Sequence, residues 1–259
     1  MLNSSFEWAK TKQFSFSQIL LAFAIPSAIA FIGFRSVLPM IHAKGIPAIL
    51  AWPAVASTML FLFVIAAVIL LKKDAAVLQI SLKERMCLKP LSLKQWGAYL
   101  GILILGFIVT LLFSKLSIYM TEIPFLSVPD YFPFFLNPGI DPMTANPAIL
   151  APGVTLKGAY WLLPLIGLTL TLNILTEELY FRAWLQPKMN NYGAWSWVLN
   201  GFMFACYHTY QIWLFPQILP ISLVMAFVVY KSKSIWPAIA IHMVVNTMTV
   251  VGLMSFIVT

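Results

Sequence analysis

Seven long apolar runs are the feature that most constrains how this 259-residue chain can fold. Runs of about 17–25 apolar residues are long enough to cross a lipid bilayer as helices. Hydrophobic residues make up 61% of the chain and charged residues 9%, which leaves too few charges to cover a folded surface in water. We therefore predict an all-α membrane protein with about seven transmembrane helices, within a range of six to eight. The predicted spans are Phe16–Phe34, Ile46–Leu71, Trp96–Phe113, Ala159–Gln186, Ala194–Tyr210, Leu214–Tyr230 and Ile235–Val258.

Basic residues between these runs predict the orientation of the chain. The connection from Lys72 to Gln95 carries six Lys or Arg residues and two acidic residues, which is typical of a cytoplasmic segment. With seven spans, this places the N-terminus in the cytoplasm and the C-terminus outside, and it places the turns at Lys188 and Lys233 in the cytoplasm. The long connection 114–158 then lies outside, where a docked lid, a re-entrant segment or a plain loop would each fit.

The fourth predicted span contains charged residues that membrane helices normally exclude. Residues 173–182 read NILTEELYFR, and each charge costs roughly 2.5–3.5 kcal/mol at the centre of a membrane helix. Glu178 and Arg182 are four residues apart and are predicted to form an ion pair on one helix face. Glu177 is turned about 100° away and is expected to remain unpaired, as a general base in a desolvated pocket requires. The alternative is a solvated helix end at the cytoplasmic surface.

Two later spans carry polar pairs at helical spacing. Phe204 and His208 are four residues apart, as are His242 and Asn246, so each pair shares a helix face. At a rise of about 1.5 Å per residue, the two histidines, Asn246 and Glu177 all fall between about 11 and 21 Å from the predicted cytoplasmic helix ends. We therefore predict a polar catalytic cavity among the C-terminal helices. The alternatives are an interfacial histidine and simple interhelical hydrogen bonds.

A carboxylate, two imidazoles and an amide around one cavity could hydrolyse a peptide bond. The carboxylate, helped by a histidine, would deprotonate a water molecule, and the remaining donors would stabilise the oxyanion. The same groups could instead bind zinc. The HExxH pattern is absent, however, and the two histidines lie on different predicted helices, so we expect neither a metal nor a cofactor.

These residues resemble the CPBP family, the CAAX protease and bacteriocin-processing proteins, also described as intramembrane glutamic endopeptidases. The family pattern is EExxxR, then FxxxH, then HxxxN on three successive membrane regions. Here the three motifs begin at Glu177, Phe204 and His242, in the family's order. The resemblance covers about Leu156 to Val258. It implies a CPBP-like catalytic helical core in residues 156–259, preceded in residues 1–155 by three transmembrane helices, the basic cytoplasmic segment and the outer loop.

The resemblance also implies a role for each motif residue. Glu177 would activate water with the help of His208, while His242 and Asn246 would form the oxyanion site. Three further residues would support the site, with Phe204 packing on the His208 side and a structural pair formed by Glu178 and Arg182. The implied partners are membrane lipid and a peptide or protein substrate, membrane-associated or lipidated in some relatives, and nucleic acid is not expected. Short loops around seven spans favour a prokaryotic cell membrane.

Three other functions stay open at this point. The chain could be a non-catalytic immunity or scaffold protein of the same fold, because some relatives are known by their effects on partners. It could be a zinc-dependent membrane protease. A transporter is the third alternative, although transporters usually contain two related halves and no internal repeat is visible in this sequence.

Overall fold

The computed structural model of the protein describes residues 6–141, 144–146 and 150–258. Both chain termini lie outside these residues, and so does the prediction of the side of the membrane on which each terminus lies. Five residues of the predicted outer connection also lie outside the described ranges. The described residues form helices joined by turns, without a β-strand among them. The prediction of an all-α membrane protein is confirmed.

Six helical segments in the described ranges are long and apolar enough to cross a membrane. We name their regular parts in chain order, together with one short helix outside the spans. They are α1 (Phe16–His42, with a π-helical stretch Gly33–Val37), α2 (Ala48–Leu78), α3 (Leu82–Arg85), α4 (Leu93–Glu122), α5 (Leu162–Glu177), α6 (Trp195–Tyr207), α7 (Phe215–Ser232) and α8 (Trp236–Val258). After α5 the chain continues as a π-helix, Glu178–Leu185, and a 3-10 helix, Gln186–Tyr192.

Predicted spans five and six are α6 and α7, two helices that follow each other directly within Trp195–Ser232 and are separated by a kink. A 3-10 helix, His208–Leu214, joins α6 to α7 and keeps hydrogen bonds across the turn, with a kink at Gln211 (φ −129°, ψ 55°). The two helices nevertheless pack against each other. A Cβ atom on Gly201 of α6 would lie 2.7 Å from the Cα atom of Leu223 on α7, so the backbones approach closely at a small residue. This hairpin accounts for six segments where seven spans were expected.

Several helices extend beyond their predicted ends. α2 continues through the charged residues Lys72 to Asp74 and ends at Leu78, where Gln79 takes the left-handed conformation (φ 54°). α4 begins after a capping box between Ser92 and Gln95, and it continues to Glu122. Apolar composition marks the part of a helix inside the bilayer, but the hydrogen-bonded helix continues into the polar region beyond it. The outer connection is therefore shorter than predicted.

Polar side chains join α5 and its π-helical continuation to the N-terminal helices. The Ser57 hydroxyl lies 2.7 Å from that of Thr169, the Thr176 hydroxyl donates to the Leu60 carbonyl (2.9 Å), and the Tyr180 hydroxyl donates to a carbonyl of α1 (2.8 Å). Such hydrogen bonds across apolar helix interfaces fix the depth and rotation of one helix against another. The division at residue 155 stays a prediction, and the two regions pack closely.

The described part of the outer connection docks on the helices. The indole N–H of Trp213 donates to the Leu136 carbonyl at 2.8 Å. The Arg35 guanidinium lies over the rings of Phe132 (5.4 Å) and Trp213 (5.1 Å), and it donates to the Tyr131 hydroxyl. These contacts dock the described part of the connection on the helices, while the choice among a lid, a re-entrant segment and a plain loop stays a prediction.

A polar network fixes the end of the π-helix. The fully buried Arg85 donates from Nη1 to the Ala183 carbonyl (2.5 Å) and from Nη2 to the Trp184 carbonyl (3.0 Å) and to Asp74 Oδ2 (2.6 Å). Lys188 Nζ lies 2.7 Å from the same carboxylate oxygen. The segment that was predicted from its charge to be cytoplasmic therefore anchors the helix that carries the acidic motif.

The basic turn that contains Lys233 packs beside the basic segment Lys72 to Gln95. The Lys233 ammonium lies 3.7 Å above the Trp8 ring, and the hydroxyl of Ser234 donates to the Lys89 carbonyl at 2.7 Å. The backbone N–H of the next residue donates to the Cys87 carbonyl. The basic segments thus contact one another, as the orientation prediction requires, while the side of the membrane that they face stays a prediction.

Candidate active site

Glu177 is the last residue of α5, at the point where the α-helix becomes a π-helix. Only 2% of its surface is exposed. Its Oε1 atom accepts a hydrogen bond of 2.6 Å from Nδ2 of Asn173, one turn earlier on the same helix. The expectation that Glu177 is unpaired was therefore wrong, because a residue four positions earlier supplies a donor.

His208 faces Glu177 from the end of α6. Its Nδ1 atom lies 3.0 Å from the Phe204 carbonyl, and a carbonyl can only accept, so Nδ1 carries a proton. Its Nε2 atom lies 3.6 Å from Glu177 Oε1. In the neutral ring this contact leaves a lone pair on Nε2, directed at the carboxylate.

α8 supplies His242 and Asn246. The Nδ1 atom of His242 lies 3.0 Å from Glu178 Oε1, and its Nε2 atom lies 3.0 Å from Asn173 Oδ1 and 3.7 Å from Glu177 Oε2. Asn246 Nδ2 donates to the same Asn173 Oδ1 atom at 3.1 Å. The structure therefore brings the side chains of all three motifs together, and a carboxylate oriented on Nδ1 fixes the position of the His242 ring.

The ion pair expected between Glu178 and Arg182 does not form in the structure, so that part of the prediction was wrong. Both residues lie in the π-helix, whose hydrogen bonds join residues five apart, so a spacing of four no longer aligns side chains. Glu178 pairs with His242 instead. Among the described residues the Arg182 nitrogens have no hydrogen-bond acceptor, and the guanidinium lies 3.8 Å from the centre of the Phe204 ring.

The Phe204 ring contacts both this guanidinium and the His208 ring, the latter edge to face at 4.9 Å between ring centres. A cation over an aromatic face is attracted by the ring's negative charge density. Phe204 also supplies the carbonyl that His208 contacts. It therefore positions His208 through both its ring and its backbone.

The site opens into a cavity of about 650 Å³. Glu177, both site histidines and Asn246 line it, and the docked connection forms part of its wall at Phe134 to Asn137. Most of the remaining wall is apolar and comes from α2, α4 and α7. A polar group of four residues at one side of an apolar cavity is the usual arrangement of a small-molecule or peptide site.

Two cavity residues were missed in the sequence. Asn173 contacts three motif residues, and its position four residues before Glu177 could have indicated a shared helix face. Gln211 lines the cavity from the kinked turn after His208. No pattern in the sequence indicates Gln211, because its direction depends on the backbone conformation of that turn.

In the described part of the chain, no three His, Cys, Asp or Glu side chains are arranged to hold a metal ion. The expectation that no metal binds stays a prediction. Direct metal analysis of the purified protein is the test of that expectation.

Residues 159–248 match the family described as Type II CAAX prenyl endopeptidase Rce1-like. Comparisons with curated proteins and with solved structures gave no match. The matched segment contains the three motifs from Glu177 to Asn246, and it confirms the resemblance seen in the sequence. Over the segment that forms the site, the chain is therefore similar to the Type II CAAX prenyl endopeptidases that its motifs resemble.

Proposed function

We propose that this protein is an intramembrane glutamic-type endopeptidase that hydrolyses a peptide bond with water activated by Glu177, without a metal. The observation that carries the proposal is the buried Glu177 carboxylate, which faces Nε2 of His208 at 3.6 Å and of His242 at 3.7 Å inside the cavity. A desolvated carboxylate between imidazoles is suited to general base catalysis.

The separation of Glu177 from His208 allows one water molecule beside them to contact both side chains. A distance of 3.6 Å is too long for a direct hydrogen bond, and one water can donate to both Oε1 and Nε2. The base removes one proton while the water oxygen attacks the peptide carbonyl carbon. The same proton is then delivered to the departing amine, so that an acid and an amine are released and the base is regenerated.

His242 and Asn246 support the second part of the mechanism. With Nδ1 of His242 donating to Glu178, the doubly protonated ring also carries an N–H on Nε2. This group and Nδ2 of Asn246 converge on one oxygen position, which Asn173 Oδ1 holds at 3.0 Å and 3.1 Å. Donors at such distances stabilise the negative charge that develops on the attacked carbonyl oxygen. Glu178, Arg182 and Phe204 are supporting residues in this proposal. Glu178 contacts the His242 ring, Phe204 contacts the His208 ring, and Arg182 packs on Phe204.

The proposed substrate is a peptide or protein that enters from the cytoplasmic side or laterally from the bilayer. The family's description names prenyl endopeptidases, and the apolar cavity wall formed by residues such as Phe63 and Leu111 would accept a lipid group or an apolar side chain. We place the protein in a prokaryotic cell membrane with a cytoplasmic N-terminus and an outer C-terminus. The positive charge of the connection after α2 supports this orientation.

Mass-spectrometric comparison of membrane peptides tests the proposal. Cells that carry Glu177→Gln should lack cleavage products found with the native protein, because an amide cannot act as the base. Glu122→Gln, the same change at an exposed position, is the matched control and should retain cleavage. Cleavage by the purified native protein should also survive strong chelators.

Two outcomes would contradict the proposal. Undiminished cleavage by the Glu177→Gln variant would exclude this carboxylate as the base, and activity lost to chelators and restored by zinc would indicate a metalloprotease. If cells that carry Glu177→Gln behaved like cells that carry the native protein, and no proteolysis were detected in either, a binding role would be favoured instead.

A further inference from the structure

Asn173 lies at the centre of the site although it belongs to none of the three motifs. Its carboxamide nitrogen donates to Glu177 Oε1 at 2.6 Å, and its oxygen lies 3.0 Å from His242 Nε2 and 3.1 Å from Asn246 Nδ2. The side chain thus contacts the proposed base and both proposed oxyanion donors.

The orientation of this carboxamide follows from its partners. A carboxylate can only accept hydrogen bonds, so the nitrogen of Asn173 faces Glu177. The oxygen then faces Nδ2 of Asn246 and Nε2 of His242. Because Nδ1 of His242 already donates to Glu178, Nε2 donates to this oxygen in the doubly protonated ring. A peptide bond placed for hydrolysis in the proposed mechanism would present its carbonyl oxygen to the same two donors.

We propose that the Asn173 carboxamide occupies the oxyanion position in the substrate-free site, and that the substrate carbonyl must displace it. This inference rests on the proposed function. Asn173 is then an internal competitor of the substrate and helps to determine how tightly a peptide binds. It is not a group that participates in the hydrolysis.

The surroundings of Asn173 allow such a displacement. The residue lines the cavity and is partly exposed to it, in contrast to the buried Glu177. Its contacts at the site are hydrogen bonds, and rotation of its side chain would transfer the two donors to an incoming carbonyl without moving α5. When the binding-competent state is only a fraction of the population, the apparent affinity falls by that fraction.

The opposite role would be a positioning one, in which Asn173 stays in place and orients Glu177 during the reaction. The two roles predict changes in different kinetic constants. Loss of an internal competitor should lower KM and leave kcat unchanged, while loss of a positioning hydrogen bond should lower kcat.

The experiment compares full-length protein and its Asn173→Ala variant in detergent, using a defined library of dodecapeptides with mass-spectrometric detection. For the peptides cleaved, KM should fall roughly three- to tenfold in the variant, the size expected when about one net hydrogen bond is removed from the competing state. Thr171→Ala is the matched control, since Thr171 is exposed on the same helix and donates to the Gly167 carbonyl. Asn173→Ser replaces the alanine variant if the latter does not fold. An unchanged KM, or a large fall in kcat, would overturn the inference.

Two further measurements separate failure of this inference from failure of the proposed function. Glu177→Gln measured in parallel tests the function itself. Undiminished cleavage by this variant, or no cleavage by the native protein, would contradict the proposed function and not the role of Asn173. Nitrogen-15 spectra of the histidines report the Asn173 contact without a substrate, and a His242→Gln variant assigns the relevant signal among the three histidines of the chain. Removing the acceptor oxygen in Asn173→Ala should shift the His242 Nε2 signal. An unshifted signal would show that the contact is absent and would overturn the inference even if cleavage is observed.

Discussion

Replacing Arg85 by Met is expected to destabilise the protein because Arg85 satisfies buried acceptors at the end of the π-helix. Its side chain is fully buried, and it donates to the Ala183 and Trp184 carbonyls and to Asp74. Asp74 would keep its pairing with Lys188 at 2.7 Å and is 22% exposed, so its charge would not be stranded. The main loss comes from the two carbonyls, and each unsatisfied buried acceptor costs about 1–3 kcal/mol.

The free energy of unfolding should therefore fall by about 4 kcal/mol in Arg85→Met. For a chain of this size, such a change corresponds to a decrease in Tm of about 10 °C. Thermal unfolding in detergent, followed by near-UV circular dichroism, measures it. Lys83→Met removes an exposed cation from the same short helix and should leave the Tm unchanged.

The reasoning would be refuted if Arg85→Met and Lys83→Met unfolded at the same temperature. In that case the carbonyls of residues 183 and 184 would find other donors, such as water, at no net cost. Asp74→Asn should lower the Tm by less than Arg85→Met does, because the amide oxygen can still accept from Arg85.

Two further predictions concern the ends of the helices. Burial lowers the pKa of Lys233 from 10.5 to about 8, so the folded protein loses this proton at a lower pH than the unfolded chain does. The Tm of the native protein should therefore rise relative to that of Lys233→Met as the pH rises from about 8 to 10.5, and parallel curves would contradict this. In intact cells, a maleimide that cannot cross the membrane should label Glu122→Cys, and it should label Lys94→Cys only after lysis. The reverse pattern would invert the proposed orientation.

Most of the helical fold could be predicted because apolar length directly reflects bilayer thickness. The helix ends were less predictable. α2 extends past its last apolar turn to Leu78, and only a kinked 3-10 turn, His208–Leu214, separates α6 from α7. Both features depend on backbone hydrogen bonds that hydropathy does not describe.

The grouping of the site residues could also be predicted in part. A spacing of four residues placed His242 with Asn246 on one face of α8 and Phe204 with His208 at the end of α6, and the structure brings these side chains together around Glu177. The same rule failed for Glu178 and Arg182, because they lie in a π-helix. Arg85, which binds the carbonyls at the end of that π-helix, lies far away in sequence, so local patterns could not reveal the conformation.

The change from α-helix to π-helix explains how two consecutive carboxylates can have different partners. Glu177 ends the α-helix and faces His208, while Glu178 begins the π-helix and contacts Nδ1 of His242. The other nitrogen of His242 lies 3.7 Å from Glu177, so one imidazole is placed between two adjacent acidic residues. A proton donor that must point at one oxygen position benefits from a carboxylate behind it, because that contact fixes the ring, and in the doubly protonated imidazole the N–H at the far side then points at that position. In the proposed mechanism, therefore, the second glutamate acts by orienting the oxyanion donor, and the first is left to act on water.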